Sequence, residues 1–282
     1  MIKNIKKVVA IHDISGLGRC SLTAAIPILS VLGVQPCPFP TAILSCQTGY
    51  SKFSFLDLTE EMINYKNSWD EMGFAFDGVY SGFLGSEKQI DIVKEFIISQ
   101  NSSFVLIDPV MGDGGKIYKT YTEVMCRKMK ELVALATVTT PNITEACILS
   151  GKEYKNGEYS LEEIEEIAKE ICALGPKKVV ITGIIKGNEI INFAYDMDED
   201  KKYIIVNNHS DRAFGGTGDI FASIICGMLM TGRGFEEAIK TASEFVYKAI
   251  CYSATQKNDV KNGVVFEPIL KELFIWVTGT VK

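Results

Sequence analysis

The run Phe214-Gly215-Gly216-Thr217-Gly218-Asp219-Ile220-Phe221 holds the residue types best suited to chemistry in this 282-residue chain. Three glycines and a small threonine leave the backbone free to bend and to approach a ligand. The apolar stretch 220–230 that follows predicts a helix opening on the glycine loop. The first N–H groups of a helix lack intrahelical partners and lie at the positive end of its dipole, so they suit phosphate or another oxyanion. Asp219 then admits two readings. It can be an acidic N-terminal cap worth about 1 kcal/mol, with the glycines only turning the chain. Alternatively, the amides of Gly216, Thr217 and Gly218 hold a transferring phosphoryl group while Asp219, kept ionised by the same dipole, takes the proton of an attacking hydroxyl. The loop has neither the Gly-Lys-Ser/Thr ending of a Walker loop nor the glycine spacing of a dinucleotide fingerprint.

Other polar groups follow short apolar runs. The run 8–11 enters His12-Asp13-Ile14-Ser15-Gly16-Leu17-Gly18-Arg19, with Ser21 placed to cap a helix over 21–32. Asp13 and Ser15 stand at a strand's carboxyl end, where open α/β sheets bind polar ligands; they would equally serve to bond local amides in an ordinary loop. After a strand over 104–107, the loop 108–115 sets Asp108 and Asp113 five residues apart among glycines. Such oxygen ligands suit Mg²⁺, although Asp-Pro is also a common turn opener. After a strand over 136–140, Asn142 and Glu145 have the spacing of a capping box, which explains both, yet their place at a strand end lets them reach a metal-bound phosphate. Thr182 closes a strand over 178–182.

The elements that must position these residues alternate. Between the first helix and 104–107 lie a proline-bearing extended segment over 35–47 that can form a flap, a helix capped by Thr59, a strand and loop over 77–83, and a helix over Glu87–Gln100 whose Ile90, Val93, Ile97 and Ile98 share one face. A helix over 122–135 follows, then one over 161–172 capped by Ser160 with a solvated charged face. An antiparallel hairpin over 189–206 precedes the glycine loop, and a helix from 235 to about 255 follows it. Strand-helix alternation of this kind predicts a layered α/β fold with a mostly parallel sheet, in one domain over 1–282.

Composition narrows the function classes. The net charge is −6 with lysines and arginines scattered, so no electrostatic case exists for nucleic acid. No run approaches the ~20 apolar residues of a membrane span, and the apolar run after Lys3, Lys6 and Lys7 is too short for a secretory signal. The eight cysteines form no C-x-x-C pair and no Cys/His cluster, which fits small core side chains in a reducing cytoplasm.

Gly216-Thr217-Gly218-Asp219, Thr140-Pro141-Asn142-x-x-Glu145, Asp108-Pro109-Val110-x-Gly112-Asp113 and Thr48-Gly49-Tyr50, in this order over about 8–255, resemble the pyridoxal kinases of the ribokinase-like superfamily. The resemblance implies a three-layer αβα sandwich, a homodimer, and an ATP-dependent kinase acting on the 5′-hydroxymethyl group of pyridoxal, pyridoxamine or pyridoxine, with Mg²⁺ and a monovalent cation such as K⁺. It implies that Asp219 is the base, that Gly216, Thr217 and Gly218 form the anion hole, and that Asp113 and Glu145 serve Mg²⁺, the latter through water. It assigns Asn142, Thr182 and Thr217 to the nucleotide phosphates, Asp108 and Thr140 to the cation and phosphate region, and Thr48 and Phe83 to the pyridine pocket. The front loop Asp13-Ile14-Ser15-Gly16 is closer to that of the hydroxymethylpyrimidine kinases, whereas Gly112-Asp113 departs from them. Two rival readings stand beside a vitamin B6 kinase: a hydroxymethylpyrimidine kinase, and a sensor of vitamin or nucleotide that keeps the fold without chemistry.

Overall fold

The computed structural model describes residues 4–156, 158–210, 212–257 and 259–278. Its first half runs β1 (Lys7–Ser15), α1 (Ser21–Val31), β2 (Gln35–Leu44), β3 (Phe55–Asp57), α2 (Thr59–Glu71), β4 (Gly78–Ser81), α3 (Glu87–Gln100), β5 (Phe104–Ile107) and the small hairpin β6 (Gly112–Asp113) and β7 (Lys116–Ile117). The second half runs α4 (Glu123–Val133), β8 (Val138–Thr139), α5 (Ile143–Ser150), α6 (Leu161–Leu174), β9 (Lys178–Lys186), β10 (Glu189–Asp196), β11 (Lys201–Asn208), α7 (Thr217–Met230), α8 (Phe235–Thr255) and α9 (Leu270–Thr278).

Among the described residues nine strands form one sheet in the order β11-β10-β9-β8-β5-β4-β1-β2-β3. The stretch from β9 to β2 is parallel throughout, and antiparallel pairs occur only at the flanks, β9-β10-β11 and β2-β3. Parallel strands are covered on both faces, which is why they read as unbroken apolar runs. Along β5, Val105 and Ile107 join a core with α2 to α6, while Leu106 joins a second core with α1, α7, α8 and α9. The expected αβα sandwich is therefore present.

The proline-bearing segment becomes the penultimate strand, β2. Gln35 N–H donates to the Lys6 carbonyl, so alternation along the strand turns the nitrogens of Pro36, Pro38 and Pro40 away from β1. On that outer side β3 pairs only with Ala42–Leu44. Phe39, between two of the prolines, anchors the strand: it is fully buried, stacked on Tyr65 at 5.7 Å and edge-on to Trp69 and Phe96 at 5.4 Å. Burial of such a ring contributes on the order of 1.5–3 kcal/mol.

Several local expectations need correcting. β1 does not stop at Ile11, where its pairing with β4 ends, but continues through Ser15 because its far half still pairs with β2. Ser21 is not a cap: it is the first helical residue of α1, and its hydroxyl is turned toward Asp13. Thr59 does not cap α2 either; its N–H is held by Asp57 and its hydroxyl accepts from the buried Gln89 amide. Ile98 is 59% exposed, one residue off the buried face of α3. The Asn142/Glu145 capping box forms and Ser160 caps α6 as expected, the latter with Glu163 completing a second box.

Candidate active site

Chain order reverses at β1, which has β2 on one side and β4, β5, β8 and β9 running away on the other. Crevices outside the carboxyl ends of strands at such a point are where open α/β sheets hold ligands. Each strand end here is extended by one backbone bond to its neighbour: Gly82 N–H to Ile11, Asp108 to Ser81, Thr140 to Ile107, and Thr182 to Pro141. The stair that results carries Asp13, Phe83, Asp108, Thr140, Asn142 and Thr182 along one rim of the sheet.

The N-terminus of α7 meets this rim. Gly216 is its cap residue, with φ +80 and no side-chain cap bond, so the first N–H groups of the helix are left for a ligand. A Cβ at Gly216 would lie 1.8 Å from the Arg19 carbonyl, so glycine is demanded twice, by conformation and by close approach. Asp219, in the first turn, has a side chain 16% exposed. Burial raises its carboxyl from 3.8 to about 7; the Ser21 backbone opposes this rise and the charge of Asp13 adds to it. Asp13 is itself buried and raised by burial, although it accepts from Ser21 Oγ at 2.6 Å and Ser15 Oγ at 2.8 Å. Ser21 has φ +51, which costs a non-glycine residue about 1–2 kcal/mol. That strain lets one residue face two carboxylates. His12, one position before Asp13, is fully buried and lies with Nδ1 3.8 Å from Asp219 Oδ1. Burial lowers its imidazole to about 3, which keeps the ring neutral.

A second group lies around β5 and β8. Asp108 is buried, accepts from Thr140 Oγ1 at 3.1 Å, and is raised well above the carboxylate range by burial and by the charge of Asp219. Glu145 is buried too, raised by burial and by Asp108; its oxygens accept from the N–H groups of Met111 at 3.1 Å and Asn142 at 2.9 Å. Asn142 Nδ2 donates to the Gly112 carbonyl at 2.8 Å and Asn142 bridges to Thr182, which ties the β6-β7 hairpin to the end of β8 and to the middle of β9, a strand that runs past the expected stop at Thr182 to Lys186. Asp113 is exposed and accepts from Gly114 N–H at 2.7 Å. The Tyr118 phenol is pushed up first by burial, then by the charges of Glu145, Asp113, Asp108 and Asp219, so all four act on it. Among the described residues, none of Asp13, Asp108, Asp113 and Glu145 forms a salt bridge with a lysine or arginine. Carboxyl groups gathered in this way without a protein cation, three of them buried and one exposed, are a donor set whose ionised form a bound cation would favour.

The pyridine-pocket candidates are less gathered. Phe83 is half-buried where β4 ends, with its carbonyl bonded by Thr41 Oγ1 at 3.2 Å. Thr48 is exposed on the loop 45–54 between β2 and β3. That loop is tied down at its neighbours: Gln47 N–H to Leu17, Gln47 Nε2 to the Lys261 carbonyl, and the Tyr50 hydroxyl to Asn262 Oδ1. Arg19 N–H donates to the Asn262 carbonyl and Val264 N–H to Gly215, so the segment 261–264 straps the loop 45–54, the front loop and the glycine loop together, while most of the segment expected as a flap, 35–47, is the sheet strand β2. Sequence reasoning assigned no role to this strap, to Ser21 toward Asp13, or to His12. The only local sign was a histidine ending an apolar run.

The phosphomethylpyrimidine kinase family profile matches residues 21–264. A hydroxymethylpyrimidine/phosphomethylpyrimidine kinase from Aquifex aeolicus is 31% identical over 196 residues, 69% of this chain and 72% of that protein. A protein from Bacteroides thetaiotaomicron, provisionally assigned as a phosphomethylpyrimidine kinase and crystallised with pyridoxal, is 37% identical with a TM-score of 0.92, covering 96% of each chain. Pyridoxal kinase from Lactobacillus plantarum superposes with a TM-score of 0.89 at 25% identity, over 96% of this chain and 97% of that one. With one profile spanning residues 21–264 and a solved relative superposing over 96% of the chain, the chain belongs to the phosphomethylpyrimidine kinase family.

Proposed function

We propose that this kinase transfers the γ-phosphoryl group of ATP to the 5′-hydroxymethyl group of pyridoxal, pyridoxamine or pyridoxine. The observation that carries the reading is Asp219, a carboxylate with a raised pKa, held in the first turn of a helix whose N-terminal N–H groups have no side-chain cap. A hydroxyl beside Asp219 gives up its proton to the carboxylate as its oxygen bonds to phosphorus and the bond to the ADP oxygen breaks. The N–H groups of Gly216, Thr217 and Gly218, joined by that of Asp219, receive the charge on the phosphoryl oxygens. Asp13 and Ser15 bind the polar edge of the acceptor, with Phe83 and Thr48 toward its ring. Asn142, Thr182 and Thr217 contact the nucleotide phosphates.

The exposed Asp113 and, through water, Glu145 would hold Mg²⁺, whose chemistry here is to neutralise charge on the nucleotide phosphates. Among the described residues no three His, Cys, Asp or Glu side chains form a metal cage of their own, as suits an ion that keeps waters and phosphate ligands. Asp108 with Thr140 is the place we assign to a monovalent cation such as K⁺.

The solved relative that carries pyridoxal at 37% identity favours the B6 acceptor. The second reading, a hydroxymethylpyrimidine acceptor, is favoured by the front loop and by the Aquifex relative. A coupled ATP assay against pyridoxal, pyridoxamine, pyridoxine and hydroxymethylpyrimidine separates them: turnover is expected on a B6 vitamer, a pyrimidine-only activity overturns the substrate, and no product with any acceptor leaves the sensor. Asp219→Asn is expected to lose about 10²- to 10⁴-fold in kcat while still binding ATP and acceptor. We also read the enzyme as a homodimer, and sedimentation is expected to give twice 31.1 kDa.

A further inference from the structure

His12 closes the sheet side of the Asp219 pocket. The ring comes from β1 at the point where strand order turns, fully buried, edge-on to Tyr80 with centroids 4.4 Å apart. It lies against Gly82, where a Cβ would come within 2.3 Å of Cε1 and Nδ1, so the ring fits because a glycine follows β4. Among the described residues neither ring nitrogen has a hydrogen-bond partner, although buried polar atoms are rarely left so. Nδ1 faces Asp219 Oδ1 at 3.8 Å, just beyond bonding reach. The Tyr80 hydroxyl is directed to the Asp219 backbone carbonyl at 3.3 Å and therefore does not compete for the carboxylate.

We propose that His12 is a positioning residue for Asp219: the neutral ring carries its proton on Nδ1 and donates it to Oδ1 when the loaded site draws the two together, fixing the carboxylate's orientation toward the acceptor hydroxyl. The inference rests on the role of Asp219 proposed above. Asp219 acts as a base only when ionised, and in that form it can only accept, so the facing nitrogen must then be the protonated one. Ser21 serves the carboxylate from α1 and His12 from β1, which leaves the remaining lone pairs for the substrate. A ring kept merely as core filling has no need of either tautomer.

Two experiments test this. In kinetics, His12→Leu is expected to lower kcat about 10- to 100-fold, the worth of a hydrogen bond to a charged group, with KM for ATP and acceptor within about twofold. His12→Asn, which returns a donor near Nδ1, is expected to recover most of that loss. A folded His12→Leu enzyme with unchanged kcat, or an Asn variant as slow as the Leu variant, overturns the proposal. In ¹⁵N NMR of the whole protein, His209→Gln leaves His12 as the sole histidine of the two in the chain. The expected signal is the neutral Nδ1–H tautomer, its proton shifted by adding ATP and acceptor; the Nε2–H tautomer overturns the proposal even if His12→Leu fails to fold. Because the tautomer is read without turnover, it stands apart from the assay of substrate: a wild-type protein inert toward every acceptor sinks the kinase reading and leaves the pairing of His12 with Asp219 to be decided by the spectrum.

Discussion

Asp219 sits where two demands oppose each other. Burial disfavours its charge, and the chemistry requires that charge. With the carboxyl raised to about 7, kcat/KM is expected to climb with pH through an acid limb centred near 7 and to level above it; a limb near 4, at the ordinary aspartate value, would refute the shift. The same group governs stability. Between pH 3.8 and 7 the folded chain holds a proton that the unfolded chain has released, so stability falls as pH rises across that window. Asparagine, always neutral, escapes the loss. Asp219→Asn without ligands is therefore expected to melt higher than wild type at pH 8, by on the order of 1–3 kcal/mol or a few degrees in Tm, the gap closing toward pH 4. Scanning calorimetry at the two pH values measures both the sign and the closing.

The elements show why some of this was legible in sequence and some was not. The bounds of α3 were readable from its own periodicity and cap, and those of β5 from a short unbroken apolar run. The Asn142/Glu145 and Ser160/Glu163 boxes are likewise local signals that the fold kept. The reach of β1 through Asp13 and Ser15 was hidden, since polar residues enter a buried strand only when distant partners satisfy them, here Ser21 across the turn and β2 alongside. Helix α7 depends on both kinds of information. Its glycine loop announces a tight turn, but only the fold reveals that Gly216 packs on the Arg19 carbonyl. Gly216→Ala is accordingly expected to cost at least 2 kcal/mol and to depress kcat through a displaced helix start. Thermal melts beside steady-state kinetics check this; a variant within about 0.5 kcal/mol of wild type would show the contact to be soft.

At the scale of the whole molecule, the strap over 261–264 joins residues more than two hundred positions apart: the Tyr50 hydroxyl meets Asn262, and Gln47 meets the Lys261 carbonyl. No local pattern encodes such a contact. If the strap holds the flap over the pocket, Tyr50→Phe removes about 1 kcal/mol of that hold, and ATP hydrolysis without acceptor is expected to rise roughly fivefold. Phosphate release measured in the absence of acceptor checks it, and an unchanged rate would separate the strap from closure. The opposite flank of the same sheet margin has another consequence. Where Pro36, Pro38 and Pro40 face outward, a foreign strand laid alongside would find no hydrogens offered at three alternating positions. That border is a poor template for cross-β pairing, so a strand only partly covered by β3 is guarded along its bare stretch by its own prolines.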